Sequence, residues 1–349
     1  MLTLKLSGGE CKITVREGVL AQIGVELLTL GLDECAIIAD ENAAKFHLER
    51  LKTSLNTAGI THFSIIIPSG EASKSITRLA QVYSDMAARG ASRRTAIVAL
   101  GGGVCGDLAG FAAATYMRGV PVVQIPTTLL AQVDSAVGGK CGIDIPEGKN
   151  LVGAFKQPKA VFIDPELLNT LPSRNFCDGM AEVIKYGCLF SRKLFDDIKT
   201  GFPHRPLSEI VQECVEYKAD LVQKDEFDKS LRTLLNFGHT IGHAIEKLGG
   251  FSAYSHGQAV GIGMLYAARI GERLGLTGID CAEQISQALQ AYHLPVKVTF
   301  YSDNIYTALT SDKKAARGYI DFVFISQIGE SFIENLPLSD LRALIKSVS

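Results

Sequence analysis

The sequence predicts an α/β protein, with an N-terminal parallel-sheet domain and a mainly α-helical C-terminal domain. Two observations predict it. Through the first half, short apolar runs rich in β-branched residues alternate with longer amphipathic stretches, the pattern of strand–helix–strand units. After Leu171-Pro172 the strand runs stop and apolar residues recur at helical spacing, which divides the chain into domains 1–172 and 173–349.

The strand runs are CKITV at 11–15, ECAIIAD at 34–40, HFSIIIP at 62–68, TAIVAL at 95–100, PVVQIP at 121–126 and AVFID at 160–164. Between them, Ser75 to Gly90 and Asp107 to Arg118 carry apolar residues three and four apart, as crossover helices should, with Gly90 as a C-terminal cap. From Asn175 to about Tyr292 the pattern is helical, broken at joints such as Gly249-Gly250. Near the end, YIDFVFI and ESFIENL read as two strands around Ile328-Gly329, and SDLRALIKSV as a closing helix with Ser339 at its N-cap. No internal repeat or low-complexity linker separates the halves, so they are expected to pack closely, with a site in the cleft between them.

Composition excludes several classes. A chain of 349 residues that is 47% hydrophobic supplies a core for two domains. With 35 basic against 37 acidic residues, it is not built to coat nucleic acid or an anionic membrane. Eight cysteines, at 11, 35, 105, 141, 177, 188, 214 and 281, form no CxxC pair or disulfide framework, which fits reduced thiols in a cytosol. The start, MLTLKLSGGECKITV, lacks the pattern of a secretory signal, and no uncharged run reaches the ~20 residues of a membrane span. A cytoplasmic enzyme is expected.

The TAIVAL run leads straight into Gly101-Gly102-Gly103-Val104-Cys105-Gly106-Asp107 and then a helix. Such a glycine turn lets phosphate approach backbone N–H groups and the positive end of the helix dipole, as in a Rossmann-like dinucleotide site. The alternative is a tight turn packed under a sheet. No acidic residue follows about 20 positions on, but another strand run ends at Asp40, followed by Glu41 and Asn42, where a carboxylate can accept ribose hydroxyls. Asp40 reads equally as a helix cap.

Three of the seven histidines, His239, His243 and His256, fall in NFGHTIGHAIE and YSHGQ. On a helix His239 and His243 share a face about 6 Å apart, close enough to bind one metal. Glu182, in the apolar stretch GMAEVIKYG, is the candidate carboxylate. Hydrogen-bonded helix histidines are the alternative, and spacing leaves open whether His239 pairs with His243 or His256.

From 118 to 150 the sequence sets Arg118, Thr127, Thr128, Gln132, Asp134, Lys140, Lys149 and Asn150 among small residues, and Lys185, Lys218, Arg232 and Asn236 prolong the theme. Embedded cations of this kind suggest phosphate or carboxylate recognition, although any single lysine also reads as a surface residue.

Six motifs, GGGVCGDLAGFAAATYMRG, QIPTTLLAQVDSAVGGKCGID, PEGKNLVGAFKQP, MAEVIKYG, LLNFGHTIGHAIE and SHGQAVGIGM, together closely resemble the 3-dehydroquinate synthase family, over roughly residues 35 to 320. The resemblance implies zinc or cobalt held by Glu182, His239 and His256, with His243 a nearby active-site group. It implies NAD bound by Asp40, Asn42, Glu71, Lys74, Gly102, Gly103, Gly106, Asp107, Thr127 and Thr128, with Lys140, Lys149, Thr170 and Leu171 alongside. Substrate contacts would come from Arg118, Asp134, Lys140, Asn150, Lys185, Lys218, Arg232, Asn236 and either Lys313 or Lys314, with Lys314 placed in the site. The implied reaction turns 3-deoxy-D-arabino-heptulosonate 7-phosphate into 3-dehydroquinate and phosphate, in a homodimer. A different sugar-phosphate cyclase, or a metal- and NAD-dependent polyol dehydrogenase, is the rival reading. One departure stands out: family members commonly read His-Gly-Glu where this chain has His256-Gly257-Gln258. If that Glu orients the metal-binding imidazole, Gln258 is expected to change metal affinity.

Overall fold

The computed structural model describes residues 1–201, 205–310 and 318–348. They form two compact units, Met1–Pro172 with Val211–Phe227, and Ser173–Ile210 with Asp228–Ser349.

In the first unit the strands are β1 (Leu2–Leu6), β2 (Gly9–Val15), β3 (Glu34–Asp40), β4 (Thr61–Ile67), β5 (Ala96–Gly101), β6 (Val122–Pro126), β7 (Lys140–Ile145), β8 (Gly148–Phe155) and β9 (Ala160–Ile163). Seven of them make one sheet in the order β1-β2-β9-β6-β5-β3-β4. Only the β1–β2 edge pair is antiparallel; the other pairings are parallel. All six residues of β5 are buried, as continuous apolar runs must be when helices cover both sheet faces. Successive β3 residues feed opposite cores. Ile37 and Ala39 pack with Leu48, Leu51 and Leu55 of α2 (Glu41–Thr57) and with α1 (Ile23–Thr29). Ala36 and Ile38 pack with Leu79, Val82 and Met86 of α3 (Ile76–Ala88) and Leu108, Ala109 and Ala112 of α4 (Gly103–Thr115). Each of the buried Leu, Ile, Val and Met side chains contributes roughly 1.5–3 kcal/mol.

The six strand runs of the sequence are β2, β3, β4, β5, β6 and β9. The structure adds β1 and a separate hairpin of β7 and β8. One residue of β1 and none of β8 is buried, and the buried run of β7 is only Cys141 to Ile143. Helix α4 begins at Gly103 and ends at Thr115, earlier at both ends than the 107–118 expected. Beyond it the backbone turns left-handed at Met117 (φ 47) and Arg118 (φ 67), which no helix accommodates.

The rest of the chain carries α5 (Ser173–Phe190), α6 (Arg192–Ile198), α7 (Leu207–Lys224), α8 (His239–Leu248), α9 (His256–Leu274), α10 (Cys281–Ala291) and α11 (Ser302–Thr310). From Val211 onward α7 belongs to the first unit. The hairpin of β10 (Tyr319–Gln327) and β11 (Glu330–Pro337) and the helix α12 (Leu338–Val348) complete the second unit. The hairpin turns at Gly329, where φ is 96 and an added Cβ would lie 2.7 Å from the Arg192 nitrogen. Helix α12 starts one residue before Ser339, so that hydroxyl sits inside the first turn, donating to Asp340 at 3.0 Å, and is not the N-cap.

Candidate active site

The strand order reverses between β3 and β5, because β3 is followed in sequence by β4 on one side and then by β5 on the other. Ligands of open parallel sheets bind at such a point, beyond the carboxyl ends of the strands. Those ends carry Asp40 and Gly101-Gly102. Asp40 Oδ1 accepts the Asn42 and Ala43 N–H groups, each at 3.0 Å, and so caps α2. Its Oδ2 accepts the Gly102 N–H at 3.3 Å, spanning the switch point. Asp40 is therefore a helix cap, and Oδ2 retains acceptor capacity for a second donor.

Two glycines of the turn are set by packing. A Cβ at Gly101 would lie 2.4 Å from Asp40 Oδ2, and one at Gly106 would lie 2.9 Å from Gln124 Oε1. Gly102 is the N-cap of α4 and, having no side chain, leaves the first-turn N–H groups without a side-chain cap among the described residues. That terminus fits the phosphates of a dinucleotide. Thr127 is tied to the same turn by its N–H, which donates to the Gly101 carbonyl at 2.9 Å, while the Thr128 hydroxyl accepts from Ala131 N–H at 3.2 Å.

A charged network lies on the same unit. The buried Lys74 Nζ is 2.5 Å from Asp107 Oδ2, and Lys149 Nζ is 3.6 Å from Glu71. Burial pushes the Asp107 and Glu71 carboxyls up from their ordinary range, and the neighbouring ammonium groups oppose it. Lys218, on α7, meets Asp134 Oδ1 at 2.5 Å. Asp144 Oδ1 accepts the Asn150 N–H at 2.8 Å, holding Asn150 at φ 56. Arg118 and Lys140 are exposed. The Thr170 hydroxyl bonds His47 Nε2 at 2.9 Å, next to the half-buried Leu171. Lys313 and Lys314 lie outside the described residues.

In the second unit α5, α8 and α9 supply Glu182, His239 and His256, with one ligand atom from each within 4.8 Å of the others. Glu182 Oε1 is 3.6 Å from His239 Nε2 and 3.3 Å from His256 Nε2. Donors about 2.0–2.1 Å from a shared tetrahedral ion are about 3.3 Å apart, so the set fits a zinc-like cation. His239 and His243 rings meet edge-on at 5.4 Å, but His243 is exposed and lies outside the donor set. That resolves the choice spacing left open: His239 pairs with His256.

The candidate donors are oriented from behind. His239 Nδ1 lies 3.2 Å from the Phe237 carbonyl, which directs Nε2 to the cluster. Lys185 Nζ is 2.5 Å from Glu182 Oε2, a wholly buried ion pair one helical turn apart. Burial, then the Lys185 charge, holds His239 well below the usual imidazole range. Burial also acts downward on His256, but Glu182 and Glu246 outweigh it and raise the ring to about 10. The 3-10 turn Leu231–Asn236 places buried Arg232 and half-buried Asn236 just ahead of Phe237.

Gln258 does not orient the imidazole. Its Oε1 accepts the Ser255 N–H at 3.0 Å, the N3-to-cap arm of a capping box at the start of α9, a task Gln and Glu perform alike. The carboxylate beside His256 Nδ1 is Glu246, at 3.6 Å. Sequence reasoning missed Glu246, although a carboxylate flanked by buried Ala244 and Ile245 was its signal. It also missed Asp178 on α5, which accepts the Gly257 N–H at 2.8 Å.

The family described as 3-dehydroquinate synthase N-terminal matches residues 64–178, and 3-dehydroquinate synthase C-terminal matches 179–315. A 3-dehydroquinate synthase of Streptococcus gordonii is 42% identical over 341 residues, 96% of each chain. The solved 2-deoxy-scyllo-inosose synthase with carbaglucose-6-phosphate, NAD+ and Co2+ is 25% identical at a TM-score of 0.88, over 100% of this chain and 99% of that one. A 2-epi-5-epi-valiolone synthase from Streptomyces hygroscopicus with NAD+ and Zn2+ is 26% identical at 0.87, over 97% and 96%.

Proposed function

The chain belongs to the 3-dehydroquinate synthase family, and we propose that it converts 3-deoxy-D-arabino-heptulosonate 7-phosphate to 3-dehydroquinate and phosphate, using NAD and a divalent metal, zinc or cobalt. The observation that carries the reading is the Glu182, His239 and His256 donor set backed by Lys185. These three residues would hold the metal. Asp40, the Gly102 to Asp107 turn, Thr127 and Thr128 hold NAD, with Asn42, Glu71, Lys74, Lys149, Thr170 and Leu171 around it.

When bound, NAD would supply reversible hydride transfer at a substrate carbinol and the metal would supply Lewis acidity toward substrate oxygens. The chain's own groups bind and orient. Lys140, Asn150 and Arg118 neutralise the phosphate as it leaves, Lys218 with Asp134 and Arg232 with Asn236 fix the rest of the substrate, and Lys185 pairs with Glu182 and orients it. His243, exposed beside His239, exchanges protons with the substrate hydroxyls. Fixing one conformer favours the intramolecular aldol closure.

The test incubates metal-loaded protein and NAD with the heptulosonate phosphate, with glucose 6-phosphate and sedoheptulose 7-phosphate in parallel. Phosphate and dehydroquinate in equal amounts, without lasting NADH, are expected. Turnover of a rival sugar alone overturns the substrate, and net NADH overturns the cyclase reading in favour of a dehydrogenase. A cytoplasmic homodimer belongs to the same reading, and light scattering at twice the 37.5 kDa chain mass is its measurement. Among the described residues no helix is long and apolar enough to cross a membrane.

A further inference from the structure

We propose that Glu246 is the positioning residue of His256, fixing which imidazole nitrogen faces the metal and strengthening it as a donor. The proposal rests on the metal-binding reading. It begins with an asymmetry between the two histidines. Behind His239 stands a neutral acceptor, the Phe237 carbonyl, 3.2 Å from Nδ1. Behind His256 stands a carboxylate, Glu246 Oε1, 3.6 Å from Nδ1. That separation is an ion-pair contact, longer than a formed N–H···O bond, and a closing shift of about 0.6 Å makes it one.

Glu246 is 5% exposed, and a carboxylate is not left in such a place without a partner. It lies on α8 seven residues after His239, two helical turns along the same face. Its position also answers a charge imbalance. Lys185 already matches Glu182, so a divalent ion held by Glu182 and two neutral imidazoles would keep its full charge in a buried setting. Glu246 is a second carboxylate in reach, acting through the His256 ring. The residue two after His256, where the family commonly has Glu, is occupied with the Ser255 N–H and does not take this part.

The test is metal affinity, read by competition with a chromophoric chelator, together with the visible spectrum of the cobalt-loaded protein. Glu246→Gln keeps the shape and removes the charge. It is expected to lose about 10- to 100-fold in zinc affinity and to shift the cobalt bands, while NAD affinity holds. Gln258→Glu is expected to leave zinc affinity and spectrum unchanged. Wild-type affinity and spectrum in Glu246→Gln overturn the proposal. Wild-type zinc affinity in His256→Ala instead overturns the metal site beneath it, so the two failures are distinct. Should Glu246→Gln not fold, the wild-type protein decides: in ¹⁵N-histidine-labelled, zinc-loaded protein a far-downfield, slowly exchanging His256 Nδ1 proton is expected, and its absence refutes the role.

Discussion

Asp178 and Gly257 are locked together: the Gly257 N–H donates to Asp178 Oδ1 at 2.8 Å, and a Cβ at 257 would lie 2.1 Å from the Asp178 carbonyl oxygen. Asp178 sits one helical turn before Glu182 on α5, and Gly257 immediately follows His256 on α9, so this contact sets the separation of two of the three candidate metal donors. Gly257→Ala must push the helices apart. The expected cost is about 1–3 kcal/mol of stability, with zinc affinity falling alongside. Paired thermal melts and zinc titrations measure both, and an unchanged zinc affinity in a folded variant would refute the link.

Lys185→Met leaves Glu182 buried without its ammonium partner, a loss that typically destabilises by about 3–5 kcal/mol. A divalent ion would supply the missing positive charge. Metal-free Lys185→Met should therefore melt well below the metal-free wild type, and saturating zinc should narrow the gap. A gap that zinc leaves untouched would mean that the ion does not sit beside Glu182.

Asn150 is held left-handed at φ 56 by Asp144. Asn tolerates that conformation and Ala does not, so Asn150→Gly should be about 1 kcal/mol more stable than Asn150→Ala. Both lack the side-chain amide and should lose turnover by about a hundredfold if it neutralises the leaving phosphate. Urea midpoints and initial rates separate backbone from chemistry, and equal stabilities would contradict the strain argument.

Buried thiols make the protein sensitive to alkali. Burial pushes Cys11 and Cys141 from 9.0 up to about 12, and burial with the Glu34 charge does the same for Cys35. Unfolded thiols lose their protons near 9.0 while folded ones keep them, so over this window the unfolded state binds fewer protons. Stability is then fully present below pH 9 and is lost as pH rises toward 12, by about 1.4 kcal/mol per pH unit for each thiol. Urea midpoints from pH 8 to 11 should fall accordingly, and Cys35→Ala should flatten the slope. An equal slope in that variant would rule out this origin.

The legible parts of the fold were those whose burial is one-dimensional. β3 and β5 are apolar along their length because both faces are covered, and their runs stand out in sequence. β8 exposes most of its residues, so it offers no apolar run, and its Lys149 and Asn150 stood out only as polar groups among small residues. In the candidate site, the strand, glycine turn and helix were legible because they are contiguous in sequence. His256 was ambiguous against His243 because local spacing favours the neighbour one turn away, whereas the packing of α8 on α9 decides the pair. Lys218 and its partner Asp134 are 84 residues apart, beyond any local pattern.

The course of the chain also bears on how the protein is made. Residues 1–172 are not by themselves a whole unit, since Val211–Phe227 returns to complete it and brings the lysine that meets Asp134. A ribosome must release the stretch from Ser173 to Ile210, which includes Glu182, before the first unit has all its parts. The two units thus mature in overlapping order during synthesis, and a fragment ending at Pro172 leaves Asp134 without its lysine.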